Sequence, residues 1–187
     1  INSQSGKGGV AYILDTEFGY SLPRAMHPEM GTLVQQEADK SGREITPDEI
    51  LQIFQREYLN QEDPFVFESF RSYPDTEDAT GEGVVAELAF AMEGRRFELK
   101  GRGNGPIDAC KNALKQSGFF EYRIENYHEH SLEEGSESRA IAYIQLRSDS
   151  GASYFGAGID VNINKASVKA IFSALNRAAK GAGVMMV

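Results

Sequence analysis

The chain has 187 residues, of which 41% are hydrophobic, enough for one ordinary domain or for a domain with a small helical appendage. Lys and Arg number 19 against 28 Asp and Glu, a net charge of -9 that disfavours a phosphate backbone and so argues against nucleic-acid binding. A single cysteine, Cys110, excludes an internal disulfide and fits a reducing, cytoplasmic setting, and no apolar run approaches the roughly 20 residues of a membrane span. The chain starts at Ile1 and not at a Met, so it is expected to be cut from a longer polypeptide or processed, and no signal peptide is visible in it.

In chain order, Gly6-Lys7-Gly8-Gly9 lacks the spacing of a phosphate loop and reads as a structural turn. A helix is predicted over about Pro28–Lys40, stopped near Gly42. Thr46-Pro47-Asp48-Glu49 is a helix start with a capping residue, a first-turn proline and a capping-box glutamate, and Ile50, Leu51, Ile53, Phe54 and Tyr58 follow at helical spacing. The polar stretch Asn60-Gln61-Glu62-Asp63-Pro64 marks a domain boundary.

Beyond Pro64 the period changes to two. Phe65–Tyr73 reads as a strand. Val84, Ala86, Leu88, Phe90 and Met92 alternate, Glu93-Gly94 turns the chain, and Phe97 and Leu99 alternate again, which together predict an antiparallel hairpin. Gly101-Arg102-Gly103-Asn104-Gly105-Pro106 then leads into a helix with Ile107, Cys110, Ala113 and Leu114 on one stripe, ending near Gly118. The same order recurs: a strand within Phe119–His130, a strand in which Ala140, Ala142, Ile144 and Leu146 alternate, a third at Ala152–Gly158, and a helix with Ala170, Ile171, Ala174, Leu175 and Ala178 on one face. Gly156-x-Gly158 matches Gly101-x-Gly103, a repeat about 55 residues on. The fold class is α+β: two βββα units, about 64–118 and 119–181, preceded by a small helical subdomain over 1–60. The units either place sheets on one side and helices on the other or enclose the helices between the sheets.

Glycines at 101, 103 and 105 permit positive φ and close approach of a ligand, and the helix start behind them favours an anion. A tight strand-to-helix turn without a ligand explains the same residues. A dinucleotide fingerprint with Glu121 or Glu125 as the ribose acid is rejected, because the sixth-position glycine is missing and the preceding strand belongs to a hairpin. His128 and His130 share a strand face, but a zinc site needs further ligands and only His27 remains. Cys110 sits on the apolar stripe as a core residue, and the acidic runs Asp75-Thr76-Glu77-Asp78 and Glu133-Glu134 read as solvated turns.

Several segments in order resemble the 2-isopropylmalate synthases. Asn2-Ser3-Gln4-Ser5-Gly6-Lys7-Gly8-Gly9-Val10-Ala11-Tyr12 and Leu22-Pro23-Arg24 are similar to that family's linker subdomain. Gly103-Asn104-Gly105-Pro106-Ile107-Asp108-Ala109, Tyr127-His128-Glu129-His130, Lys165–Ala170 and Ser173–Asn176 are similar to its regulatory domain. The resemblance implies a regulatory region, 64–187, that forms a homodimer and binds L-leucine as a feedback inhibitor, with 1–60 as a linker remnant. It implies a parent enzyme that condenses acetyl-CoA with 2-oxoisovalerate in an N-terminal barrel. That barrel, and the divalent metal it uses, would lie outside this chain, which then has no catalytic residues, metal or cofactor of its own. The leucine-site residues it implies are Gly103, Asn104, Gly105, Pro106, Ile107, Asp108 and Ala109, then Ile124, Tyr127, Ser131, Ser138 and Ile159. Asp108, or carbonyls near Ile159, would take the ammonium group. The alternatives are an isoleucine-sensing domain of a citramalate synthase and a purely structural dimerisation module.

Overall fold

The computed structural model describes residues 7–181 and 184–185. The first helix, α1 (Lys7–Phe18), is not foreshadowed by hydrophobic periodicity. Lys7, Gly8 and Gly9 form its first turn, so this part of the glycine run opens a helix and is not the expected turn; Gly6 lies outside the described residues. Glycine costs a helix roughly 0.5–1 kcal/mol relative to alanine, which the burial of Val10 and Leu14 against the next helices offsets.

The two predicted helices follow. α2 (His27–Ser41) carries Pro28 in its first turn and ends on Gly42, whose φ of 69° is the left-handed cap that glycine adopts without strain. α3 (Pro47–Tyr58) has the full capping box: Thr46 Oγ1 accepts the Glu49 N–H at 3.3 Å, and Glu49 Oε2 accepts the Thr46 N–H at 2.8 Å. Met30, Val34, Ile50, Ile53, Phe54 and Tyr58 close the core of this helical subdomain.

Next comes an antiparallel sheet of β1 (Phe65–Pro74), β2 (Val84–Met92) and β3 (Arg95–Gly103), in that order, with α4 (Pro106–Lys115) after it. Glu93 and Gly94 both have positive φ, as a two-residue hairpin turn requires. The second sheet runs β4 (Tyr122–Ser131), β5 (Ala140–Ser148), β6 (Ala152–Asp160), followed by α5 (Ile163–Ala179) and a short edge strand, β7 (Val184–Met185). The chain is thus α+β with two βββα units. Of the two arrangements left open by the sequence, the helices lie between the sheets: one core joins Phe65, Leu88 and Phe90 of the first sheet, Cys110 and Leu114 of α4, Phe172 and Leu175 of α5, and Ile144 and Leu146 of the second. The Phe90 and Phe172 rings, 5.3 Å apart, carry that core from sheet to helix.

β5 is buried on both faces. Its even positions face α5, and Ile141 and Tyr143 on its other face enter the core of the helical subdomain. The polar joint at 60–64 is fastened at several points. The Asn60 N–H donates to Ala157 O at 3.0 Å, the Gln61 N–H to Ser173 Oγ at 2.7 Å, and the Phe65 N–H to Asn176 Oδ1 at 2.7 Å. The first acidic run is only partly solvated. Asp75 is buried and accepts from Arg102 Nη1 at 2.8 Å on both oxygens, because a carboxylate at the sheet end needs a paired cation once it leaves water. Glu133 is the exposed kind, paired with Arg139.

Candidate ligand-binding site

The glycines that open the loop before α4 hold the helix close. A Cβ built on Gly101 would stand 2.3 Å from Ala113 N and 2.4 Å from Ala109 O; one on Gly103 would stand 2.6 Å from Ala109 N. Gly156 and Gly158 repeat the device, with Ala174 N at 2.2 Å and Ala166 O at 2.2 Å. Positive φ is not what these positions need: neither Gly103 nor Gly105 has it, and Gly105 has a φ of -166°, which is extended backbone. Gly105 differs from the other four in having no atom within 4 Å of a built Cβ, so it faces open space.

Behind Gly105, Pro106 begins α4, and the first-turn N–H groups of Ile107 and Asp108 have no acceptor within the helix. Asp108 folds back over the loop. Its Oδ2 accepts the Asn104 N–H at 3.0 Å, and its Oδ1 pairs with Lys111 Nζ at 2.9 Å. The Lys111 ammonium, and then the Asn104 N–H, hold the Asp108 carboxyl below its usual range. Ala109 is fully buried under Gly103 and belongs to the core.

The next strand is re-phased. A bulge at Glu125 shifts the register between Ile124 and Asn126, so Tyr127 pairs with Ile144. Residues three apart on a regular strand point to opposite faces; the bulge turns Ile124 and Tyr127 to the same, helix-facing side. Tyr127 Oη lies 2.8 Å from Ser167 Oγ on α5 and also donates to Glu129. Burial, then the Glu129 carboxylate, pushes this phenol up to about 12, so it stays protonated. Ser131 ends the same strand and is exposed.

Ile107, Asp108 and Ile124 line one pocket of about 470 Å³. Its remaining lining is Lys111, Lys115, Tyr122 and Arg123, none of them singled out from the sequence. Helical and strand periods place them there: Lys111 and Lys115 fall three and seven residues after Asp108, and Tyr122 two before Ile124. Gly103, Asn104, Gly105 and Pro106 form the adjoining loop. Tyr127 and Ser131 continue the strand beyond the pocket. Ser138 stands in the turn before β5, its N–H 3.4 Å from Gly135 O. Ile159 lies inside β6 opposite Ile141, so its side chain packs on the helical subdomain, away from Tyr127, and its N–H donates to Asn60 Oδ1 at 3.0 Å.

Of the histidines, His130 acts as a joint. His130 Nε2 accepts the Ser21 N–H at 3.2 Å and stands 2.9 Å from Tyr143 Oη, tying β4 to the helical subdomain. Among the described residues no group of three or more His, Cys, Asp or Glu could hold a metal ion. No described helix is long and apolar enough to cross a membrane.

The LeuA allosteric (dimerisation) domain model matches residues 44–179. Among curated proteins, the chain is 41% identical over 179 residues to the 2-isopropylmalate synthase of Clostridium acetobutylicum, covering 95% of this chain and 32% of that protein. It is 44% identical over 178 residues to the 2-isopropylmalate synthase of Rhizobium johnstonii, covering 95% and 31%. Against the Helicobacter hepaticus 2-isopropylmalate synthase the identity is 39% over 180 residues, covering 95% and 32%. The chain therefore spans about a third of the length of these relatives. The duplicated βββα architecture and the family match agree, and the chain belongs to the LeuA allosteric (dimerisation) domain family.

Proposed function

We propose that this chain is the leucine-sensing, homodimeric regulatory portion of a cytoplasmic 2-isopropylmalate synthase. The observation that carries the reading is the meeting of Ile107, Asp108 and Ile124 in one pocket at the start of α4, within the span matched by the allosteric family. The carboxylate of an amino acid suits the first-turn N–H groups of α4 and the ammonium groups of Lys111 and Lys115. Asp108, held ionised by its neighbours, suits the ammonium group. Ile107 and Ile124, with Tyr127 beyond, offer apolar surface to a branched side chain. Each buried methylene is worth about 0.8 kcal/mol, so leucine and valine would differ modestly by burial alone.

Inhibition requires leucine to favour one of two arrangements of the whole enzyme. Tyr127 touches α5 through Ser167, and α5 touches the 60–64 joint through Ser173 and Asn176, so bias at the pocket has a packed route to the helical subdomain. Condensation of acetyl-CoA with 2-oxoisovalerate, and the divalent metal that serves it, belong in this reading to an N-terminal barrel.

Calorimetric titration of the chain with leucine, isoleucine and valine tests the proposal, with light scattering to report the dimer. Leucine is expected to bind tightest and Gly105→Val, which fills open space beside the loop, to abolish binding while the dimer persists. Undiminished binding by Gly105→Val removes the pocket from the loop. Tighter isoleucine binding makes the chain a citramalate-synthase regulator, and a dimer that binds none of the three is a structural module.

A further inference from the structure

His130 lies near the end of β4, half-buried and opposite Ile141, on the sheet face that packs against the helical subdomain. Its two ring nitrogens have unlike partners. Nδ1 stands 3.0 Å from Ser131 O, which can only accept, so Nδ1 carries the hydrogen. Nε2 stands 3.2 Å from Ser21 N, whose N–H can only donate, so Nε2 offers its lone pair. Only the neutral Nδ1–H form of the ring makes both bonds.

A second donor shares that lone pair, since Tyr143 Oη is 2.9 Å from Nε2. Burial, and then Tyr20 and Asp15, pushes this phenol well up, so it keeps its hydrogen. A hydroxyl can turn and accept, which a backbone N–H cannot. A protonated ring can therefore keep Tyr143 as its partner but not Ser21. The other titratable groups around the ring come from several elements. On α1, Asp15 Oδ1 accepts from Ser21 Oγ at 2.8 Å. On β4, His128 stacks on Tyr143 with its ring 5.9 Å from that of His130. His27, at the start of α2, donates through Nε2 to Leu22 O at 3.0 Å. Arg139, just before β5, pairs with Glu133 and acts on Tyr20. The Asp15 carboxylate favours a cation here, so protonation exchanges partners and does not expel the ring.

We propose that His130 is a pH-sensitive latch: the neutral ring holds Ser21 to β4, and on protonation Nε2–H turns to Tyr143 Oη and releases the Ser21 N–H. Imidazole is the side chain that changes charge between about pH 5 and 8. The 60–64 joint cannot respond in this way, because backbone groups, Ser173 and Asn176 form it and none of them titrates. Acid would thus loosen the segment between α1 and α2 from the second sheet while that joint holds. The latch does not depend on the pocket at α4 or on its ligand.

The test is a pH series from about 8 to about 5 on the isotope-labelled full chain, following the imidazole nitrogens and the backbone amides by NMR. The His130 ring is expected to show the Nδ1–H form at the upper end. As it gains its second proton, the Ser21 amide is expected to shift with the same midpoint. Protection of that amide from exchange, corrected for the intrinsic effect of pH, is expected to fall by about two- to tenfold, the worth of one hydrogen bond. In His130→Gln, whose amide oxygen accepts at every pH, the Ser21 response is expected to vanish. In His128→Gln it is expected to remain, a control that serves even if His130→Gln folds poorly. The proposal is overturned by an Nε2–H ring at the upper end, by a ring still neutral at about pH 5, or by a Ser21 amide that ignores the ring's titration. It is equally overturned by a Ser21 response that persists in His130→Gln, which would give it to Asp15, or disappears in His128→Gln.

Discussion

Arg177 Nη2 lies 2.9 Å from Glu29 Oε1, fastening the last turn of α5 to the first turn of α2. The guanidinium also stands 4.3 Å over the Tyr58 ring and donates through Nη1 to Phe155 O at 2.8 Å. Burial first, and then the Glu29 carboxylate, pushes the Tyr58 phenol well up, so it remains a donor to Glu29.

Arg177→Leu is expected to lower stability by about 3–5 kcal/mol, because it leaves the Glu29 charge buried without its cation. Glu29→Leu combined with Arg177→Leu should restore much of the loss, since the pair's desolvation cost disappears with both charges. Urea unfolding followed by circular dichroism checks both. Equal stability of the single and double variants would contradict the account.

The paired glycines under the two helices predict a contrast with Gly105. Gly101→Ala and Gly156→Ala place a methyl group against helix backbone, and each is expected to destabilise by about 1–3 kcal/mol or more. Gly105→Ala meets open space at an ordinary φ and is expected to stay within about 0.5 kcal/mol of the parent. Thermal denaturation of the three variants decides whether close packing or loop conformation governs these positions.

Acid should weaken the fold through particular carboxylates. Arg43, and then the Thr46 N–H, lower Glu49 to about 2; Arg71, and then Tyr73, lower Glu87 to about 2. Both ordinarily titrate at 4.5, so each contributes stability above that pH that is lost as the pH falls toward 2. The urea midpoint is expected to decline over this window, and less steeply in the Glu49→Gln, Glu87→Gln double variant.

Cys110 is fully buried, and burial pushes its thiol up to about 12. A disulfide reagent is expected to leave the native chain unmodified at neutral pH and to react rapidly in denaturant, because only an exposed thiolate attacks. Rapid reaction of the native chain would mean that α4 opens readily from the core.

How much of this was legible in the sequence depends on how local the cause is. The capping box at Thr46, the Glu93-Gly94 turn and the core-facing set Val84, Ala86, Leu88, Phe90 and Met92 of β2 are set by neighbours within a few residues, and they formed where read, although Val85 and Ala89 on the other face of that strand are buried too. So did the two βββα units, since their order is written twice. The α1 helix was not legible, because Gly8 and Gly9 argue against it locally and its reason is distant: burial of Val10 and Leu14. The pocket was half legible. Ile107, Asp108 and Ile124 came from the family resemblance, while Lys111, Lys115, Tyr122 and Arg123 needed α4 docked against β4.

What the sequence alone determined is the element order from α2 to α5, the duplication and the helix-opening glycine loop, because local backbone preference and periodicity specify them. What only the tertiary structure decided is which surfaces those elements share. The helices went between the sheets, β5 was buried on both faces, the bulge at Glu125 brought Tyr127 to the side of Ile124, and Glu29 met Arg177 across nearly the whole chain. These follow from the joint need to cover apolar faces and to pair buried charge, and no short stretch of sequence carries that need by itself.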